Sequence, residues 1–513
     1  MLFYSNPPTH KSGVILMKFR IPKVSKSDSV KENDPCSTYG RIKDVFQPNS
    51  DFKEFKIKRD NNTLIFCFLE TLVSEEKFKD YLLIPLFSED FELTTDNLQS
   101  LNGKQEQDPE KIISEILNGN YVLYICERNE AWVFSFPKDL QRAIQEPVNE
   151  GVVRGAHDGF VENLETNISQ LRLRIKSPDL MVNYHVLGEK TKTKTAVIFM
   201  KGIANEEIVH EVERRLSYIS TDMVLSPGYI EEFIEDDPFS IFPQLINTER
   251  PDRAMANLME GRIIIIGEGS PTALILPVTF FAFYQSSDDY NGRWIPSTFI
   301  RLLRYVSFLI AITLPAFYIA IIAFHLEVIP HELILPLKGS VEGIPYPPLL
   351  EAFFMEITIE LIREAGVRLP RPIGQTIGIV GGLVIGDAVV SAGLISNIMI
   401  VIVAVTAISA FVVPSNEMST TVRLIRFPLM IAAAILGFVG LIFGLIFVFV
   451  KLCKLESFGV PYFSPLAPFH VKDIKDTFIR MPLWKMNDRP HNSDAIKIKR
   501  QRDSRGWKTN EPR

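Results

Sequence analysis

The pattern of apolar and polar positions divides the chain into three unlike parts. Through Trp294, short apolar runs are interleaved with charge; from Ile295 to Leu452 the chain is overwhelmingly apolar; from Lys472 onward it turns basic. The longest apolar run, Leu369–Pro414, carries almost no charge apart from Asp387, and glycines recur through it at Gly374, Gly378, Gly381, Gly382, Gly386 and Gly393. Such a run is too long for one buried helix. Small residues spaced in this way let helices approach closely in lipid, where association comes from packing rather than from hydrophobic exclusion. The pattern predicts a soluble part followed by a membrane part.

Within the soluble part, residues 18–50 lack periodicity and are rich in Lys, Ser, Asp, Asn and Pro, so residues 1–50 are expected to form a disordered tether. From Asp51 the texture changes. Asn62–Leu69, Gly119–Cys126 and Ala131–Pro137 read as strands and Glu75–Leu83 as a helix, which makes residues 51–145 a first α/β unit. In residues 146–294, Gly159–Ile175 places Phe160, Leu164, Ile168, Leu171 and Ile175 on one helical face. The strand Thr195–Lys201, helices Glu206–Leu216 and Gly228–Ile234, and strands Arg262–Gly267 and Ala273–Pro277 follow. Strands alternating with helices predict a second α/β unit.

About 20 apolar residues are needed to cross a bilayer as a helix. Four segments in 295–452 qualify, roughly 306–324, 373–392, 394–413 and 429–450, and predict an all-α polytopic membrane domain. Arg293, Arg301 and Arg304 before the first span, and Lys451 and Lys454 after the last, are expected to hold both termini in the cytoplasm. Arg423 and Arg426 would then lie on the opposite side, against that rule. Between the first two spans, residues 347–366 form an amphipathic pattern with Glu356, Glu360, Arg363 and Glu364 on one wedge. The segment reads as an interfacial helix with a solvated acidic face. Alternatively, Glu356, Glu360 and Glu364 line a cation-attracting vestibule once the chain oligomerises. Asp387 is a candidate for a pore or gating role, because an ionisable side chain inside an apolar span is costly.

Composition narrows the function. With 513 residues and a formal net charge of −6, the chain is long enough for several domains and too near neutral for wholesale nucleic-acid binding. Four cysteines, Cys36, Cys67, Cys126 and Cys453, show no metal or disulfide spacing. The first residues lack the long apolar core of a signal peptide, and Met17 opens a more ordinary start. No enzyme pattern emerges. His210–Glu211 lacks the second histidine of a zinc motif, and Gly267–Glu268–Gly269 reads as a turn rather than a phosphate loop. The acidic run Glu231, Glu232, Glu235, Asp236 and Asp237 lacks EF-hand spacing and reads as a solvated helix end. No cofactor is expected. In the stretch 247–253, Glu249, Arg250, Asp252 and Arg253 around Pro251 predict a salt-linked corner or a contact between subunits or between head and membrane.

Several stretches carry a family likeness. RLRIKSPDL (172–180), VIFMKGIAN (197–205), GYIEEFIE (228–235), FPQLINTERPDR (242–253) and NLMEGR (257–262) lie in the soluble part. RLIRFPL (423–429), SFGVPYFSPLAP (457–468) and DIKDTFIRMPLWKMNDR (473–489) lie beyond it. In this order they resemble the A subunits of spore germinant receptors, the GerA-type family of endospore-forming bacteria. The chain departs from that pattern at residues 154–160, RGAHDGF, where the family reads close to RGPREGF. The resemblance implies a cytoplasmic head of two α/β subdomains and a polytopic domain in the spore inner membrane, while the charge pattern makes 453–513 a basic cytoplasmic tail. It also implies a transporter-like B subunit that senses the nutrient, a lipoprotein C subunit, and a homo-oligomer acting as a ligand-gated cation channel. A solute transporter or signalling scaffold is the alternative.

Overall fold

The computed structural model describes residues 37–505 apart from 60–61, 89–90, 139–145, 148, 371–372, 375–377, 379–381, 383–385 and 503. The chain is already ordered well before residue 51. Helix α1 (Ser37–Phe46) buries Tyr39, Ile42 and Phe46, spaced by three and four so that they share one face. The tether expected over 1–50 therefore does not extend past residue 36, and residues 1–36 lie outside the described residues.

The head contains two five-stranded antiparallel sheets. The first comprises β1 (Phe52–Arg59), β2 (Asn62–Leu69), β3 (Lys104–Glu106), β4 (Asn120–Ile125) and β5 (Glu130–Ser135), in the order β1-β2-β4-β5-β3. Helices α1 and α2 (Pro109–Leu117) cover one face, and the helical stretch 75–86 with Thr95–Ser100 covers the other. The second comprises β6 (Leu180–Leu187), β7 (Thr193–Met200), β8 (Ile246–Thr248), β9 (Ile263–Gly267) and β10 (Ala273–Leu276), in the order β6-β7-β9-β10-β8. Helices α3 (Leu164–Arg174) and α6 (Pro251–Glu260) cover one face, α4 (Glu206–Ser217) and α5 (Pro227–Ile234) the other. The two orders are the same: a hairpin, a third strand sent to the far edge, then a second hairpin, with one helix preceding each unit. The head is thus a tandem of two like α/β sandwiches, a repeat that sequence patterning does not predict.

The sandwiches are locked together by a buried ion pair. Arg172 Nε donates to Asp51 Oδ2 at 2.6 Å, and Asp51 also accepts from Thr71 Oγ1 at 2.9 Å. Ser50 N–H reaches Val182 O at 3.0 Å, so the turn leading into β1 is tied to the first strand of the second unit.

Beyond the head, α7 (Trp294–Phe324), α9 (Pro348–Arg368), α10 (Asn397–Phe411) and α11 (Asn416–Lys454) form a helical bundle, with α8 (His331–Val341) exposed beside it. Two of these, α7 and α11, are long and apolar enough to cross a membrane by length and composition. The expected segment 306–324 lies within α7, whereas 394–413 shortens to α10 after Gly393 adopts φ +65° and Ser396 caps the helix through Met399 N–H. Of the expected segment 373–392, residues 375–377, 379–381 and 383–385 lie outside the described residues, and 386–391 are helical.

The expected single crossing at 429–450 requires correction. Gly437, at φ +60° and ψ −139°, occupies a region reserved for glycine, and there α11 reverses direction. In a straight helix residues 429 and 444 would stand about 22 Å apart. Here a methyl added at Gly444 would meet Leu429 Cδ2 at 2.5 Å, and Gly440 packs on the Ala432 carbonyl. The element is a hairpin with a first arm, 416–436, leaving the head and a second arm, 438–454, returning to it.

Residues expected to form a basic tail fold back as a strap on the head. Ser457 Oγ donates to Gln244 O at 2.9 Å, Tyr462 OH to Pro243 O at 2.6 Å, and Ile496 N–H to Ile203 O at 2.9 Å.

Candidate functional site

Two polar constructions stand out in the bundle and at its foot. The first is a charged seam between α9 and the first arm of α11. These elements run antiparallel: Phe353 stacks edge-on against Phe427 at 5.1 Å, Glu356 pairs with Arg426, and Arg423 Nε lies 3.1 Å from Glu360 Oε1. The spacing follows from helical pitch. Glu356 and Glu360 stand one turn apart on α9, and Arg423 and Arg426 one turn apart on α11, so each carboxylate meets an arginine. Glu356 and Arg426 are both buried, a pairing that compensates charges which neither could carry alone in that environment. Arg363 Nη1 approaches Glu360 at 3.6 Å while its guanidinium lies over the Phe411 ring at 4.4 Å.

Further from the head, buried Glu351 accepts a hydrogen bond from Ser396 N–H at 2.9 Å, and Tyr318 OH lies 3.3 Å from Ser396 Oγ. This latch joins α9 to the start of α10 and to α7.

The acidic residues expected on one solvated face therefore divide. Glu356 faces the bundle interior, Glu360 is half-buried between two arginines, and Glu364 is exposed in an i,i+4 pair with Arg368 at 2.6 Å. The helix packs among α7, α10 and α11 instead of lying alone as an interfacial element. Asp387 is exposed on its helical turn. Sequence reading missed Arg423 and Arg426 as partners, seeing only two cations on the unexpected side. Their signal was the RxxR spacing facing an ExxxE spacing.

The second construction joins head, bundle and strap. Asp289, 2% exposed, accepts from Arg304 Nη1 at 2.8 Å and from Arg301 Nε at 3.1 Å. Arg301 also reaches Asp476 Oδ1 in the strap at 3.1 Å, and Tyr290 OH donates to the same carboxylate at 2.9 Å. Arg480 Nη2 completes the circuit on Tyr290 O at 3.0 Å. Burial pushes the Asp476 carboxyl up from its usual range, against the pull of Arg301 and the Tyr290 hydroxyl.

The expected corner at 247–253 is assembled around Glu150. Arg250 is buried, with Nη2 on Asp252 Oδ2 at 2.7 Å and on Ala156 O at 3.0 Å. Arg253 Nη1 donates to Glu150 Oε1 at 2.6 Å, and Glu249 Oε1 accepts from Asn149 Nδ2 at 2.5 Å. All four side chains are engaged within the head. On the neighbouring face, burial together with Glu417 and Glu235 pushes the Glu231 carboxyl up to about 8. Burial with Glu232, Asp237 and Asp236 pushes Glu235 up to about 7. The hydrogen bond from Thr421 Oγ1 to Ile241 O, at 2.5 Å, fixes this face against the foot of α11. Among the described residues, no group of three or more His, Cys, Asp or Glu side chains is placed to hold a metal ion.

An α/β head keyed by buried ion pairs to an apolar bundle defines a membrane-associated protein of head-and-bundle build. The particular family follows from comparison. The Bacillus/Clostridium GerA spore germination protein model matches residues 40–492, and the chain belongs to that family. Spore germination protein KA of Bacillus subtilis (strain 168) is 42% identical over 463 residues, covering 88% of this chain and 85% of that protein. Spore germination protein B1 of the same organism is 38% identical over 480 residues, covering 92% and 99%. The crystal structure of the N-terminal domain of the A subunit of the Bacillus megaterium spore germinant receptor GerK3 aligns at 29% identity and a TM-score of 0.36. That alignment covers 47% of this chain and 94% of that one.

Proposed function

We propose that the chain is the A subunit of a nutrient-germinant receptor, a multi-pass protein of the spore inner membrane that oligomerises into a gated cation path and triggers germination. It works with a transporter-like B subunit that senses the nutrient and with a lipoprotein C subunit. Head and both termini face the cytoplasm, where exposed Arg293, Lys451 and Lys454 ring the foot of the bundle.

The observation that carries this reading is the ionic seam. Glu356 and Arg426, buried between α9 and α11 in a mostly apolar bundle, are costly to keep, and ionisable groups inside membrane helices mark ion pathways and gates. The junction at Asp289 supplies a stiff connection through which a partner acting on the head can bias the bundle. Such a partner shifts the gate only if it binds one arrangement more tightly than the other. Purified chain reconstituted in liposomes with its B and C subunits is expected to pass monovalent cations passively when the nutrient is added and to stay closed without it. Saturable uptake of a solute, with no passive cation flux, would establish a transporter instead.

A further inference from the structure

The spacing of charges along the seam fits two registers. On α9 the carboxylates Glu356, Glu360 and Glu364 repeat every four residues, whereas the facing arm of α11 offers Arg423 and Arg426. In the observed register Glu356 meets Arg426 and Glu360 meets Arg423, which leaves Glu364 outside the seam on Arg368.

We propose that α9 has a second stable position one helical turn further from the head, in which Glu360 pairs with Arg426 and Glu364 with Arg423. A screw of about 6 Å along the helix and about 40° around it carries each residue onto the place of the one four before it. Both arginines then keep a carboxylate, as they do in the observed register. Positions in between leave both arginines and their carboxylates unpaired, which is strongly unfavourable, whereas the slipped register leaves only Glu356 without an arginine, so the seam has two wells rather than a continuum. Glu364 gives up only an exposed pair, which contributes little.

The same geometry says why the observed register is the resting one. The screw pulls Glu351 away from Ser396 N–H and brings Glu356 to the height of Ala352, which is fully buried. The latch at Ser396 opposes the slip and the repeated carboxylates permit it. Phe353, now against Phe427, would be replaced there by Ile357.

This inference deepens the gating reading above, but it is read out by covalent bridging rather than by flux, so the two fail separately. In the full-length chain in membranes, with Cys36, Cys67, Cys126 and Cys453 replaced by serine, the pair Phe353→Cys and Phe427→Cys reports the observed register. The pair Ile357→Cys and Phe427→Cys reports the slipped one. Glu356→Gln removes a pair made only in the observed register, and it is expected to raise the ratio of 357–427 to 353–427 bridging on oxidation at least about tenfold, the factor that 1.4 kcal/mol represents. Glu364→Gln, on the exposed side, is expected to lower that ratio in an otherwise intact chain. A ratio that neither substitution moves, or a fall in both bridges together with Glu356→Gln, would overturn the proposal.

Discussion

Asp289→Ala is expected to loosen the junction between head and bundle. The substitution leaves Arg301 and Arg304, both buried, without the carboxylate they share. Removing one partner of a buried ionic network costs about 3–5 kcal/mol, because the remaining charge stays desolvated. That is a large fraction of a domain's stability. Arg301 retains Asp476, so the strap is expected to stay attached to α7 while Arg304 keeps only Tyr284 O, at 3.0 Å. Limited proteolysis of the detergent-solubilised chain checks this outcome: the variant should be cut near residues 285–293 under conditions in which the native chain resists. Equal resistance would show that Asp289 does not hold the junction.

Gly437→Val is expected to disrupt the hairpin. At φ +60° and ψ −139° any side chain costs about 1–3 kcal/mol, and a β-branched one is the least tolerated. A methyl group there would also stand 2.9 Å from Nε2 of His325, whose ring stacks on Phe438. Failure of the reversal would leave α11 straight and carry residues 455–500 away from the head, losing the contacts of Ser457 and Tyr462. The variant should therefore lose most of its folded, monodisperse population in detergent. Ala at Gly339, on the exposed helix α8 with open space around it, should be neutral by the same measure.

How much of this was legible in the sequence depends on how local each signal is. Strands β2, β4, β9 and β10 are short apolar runs bounded by turns, and they lie where the pattern placed them. Strands β1 and β3 did not stand out, because FKEFKIKR and KQE are largely polar and pair on one side only. Helix α1 hides its three buried apolar residues in a charged stretch. The tandem likeness of the two sandwiches is a property of strand order, which no residue period records. In the bundle, the reversal at Gly437 is masked because lipid-facing and protein-facing positions are alike apolar. One glycine among several carries the turn, and only its backbone angles distinguish it. The seam joins Glu356 to Arg426 across 70 residues of chain, a pairing that local spacing suggests on each helix but does not connect. The likeness to the family was legible because it rests on many short motifs in fixed order.

The path of α11, out from the head and back to it, brings both of its ends to the head and sets the seam in its outgoing arm. Side-specific thiol labelling tests that path directly. Single cysteines at Ser415, Leu436 and the exposed Lys454 in sealed vesicles should label from the head side at 415 and 454, and from the opposite side alone at 436. Labelling of residues 415 and 454 from opposite faces would contradict it.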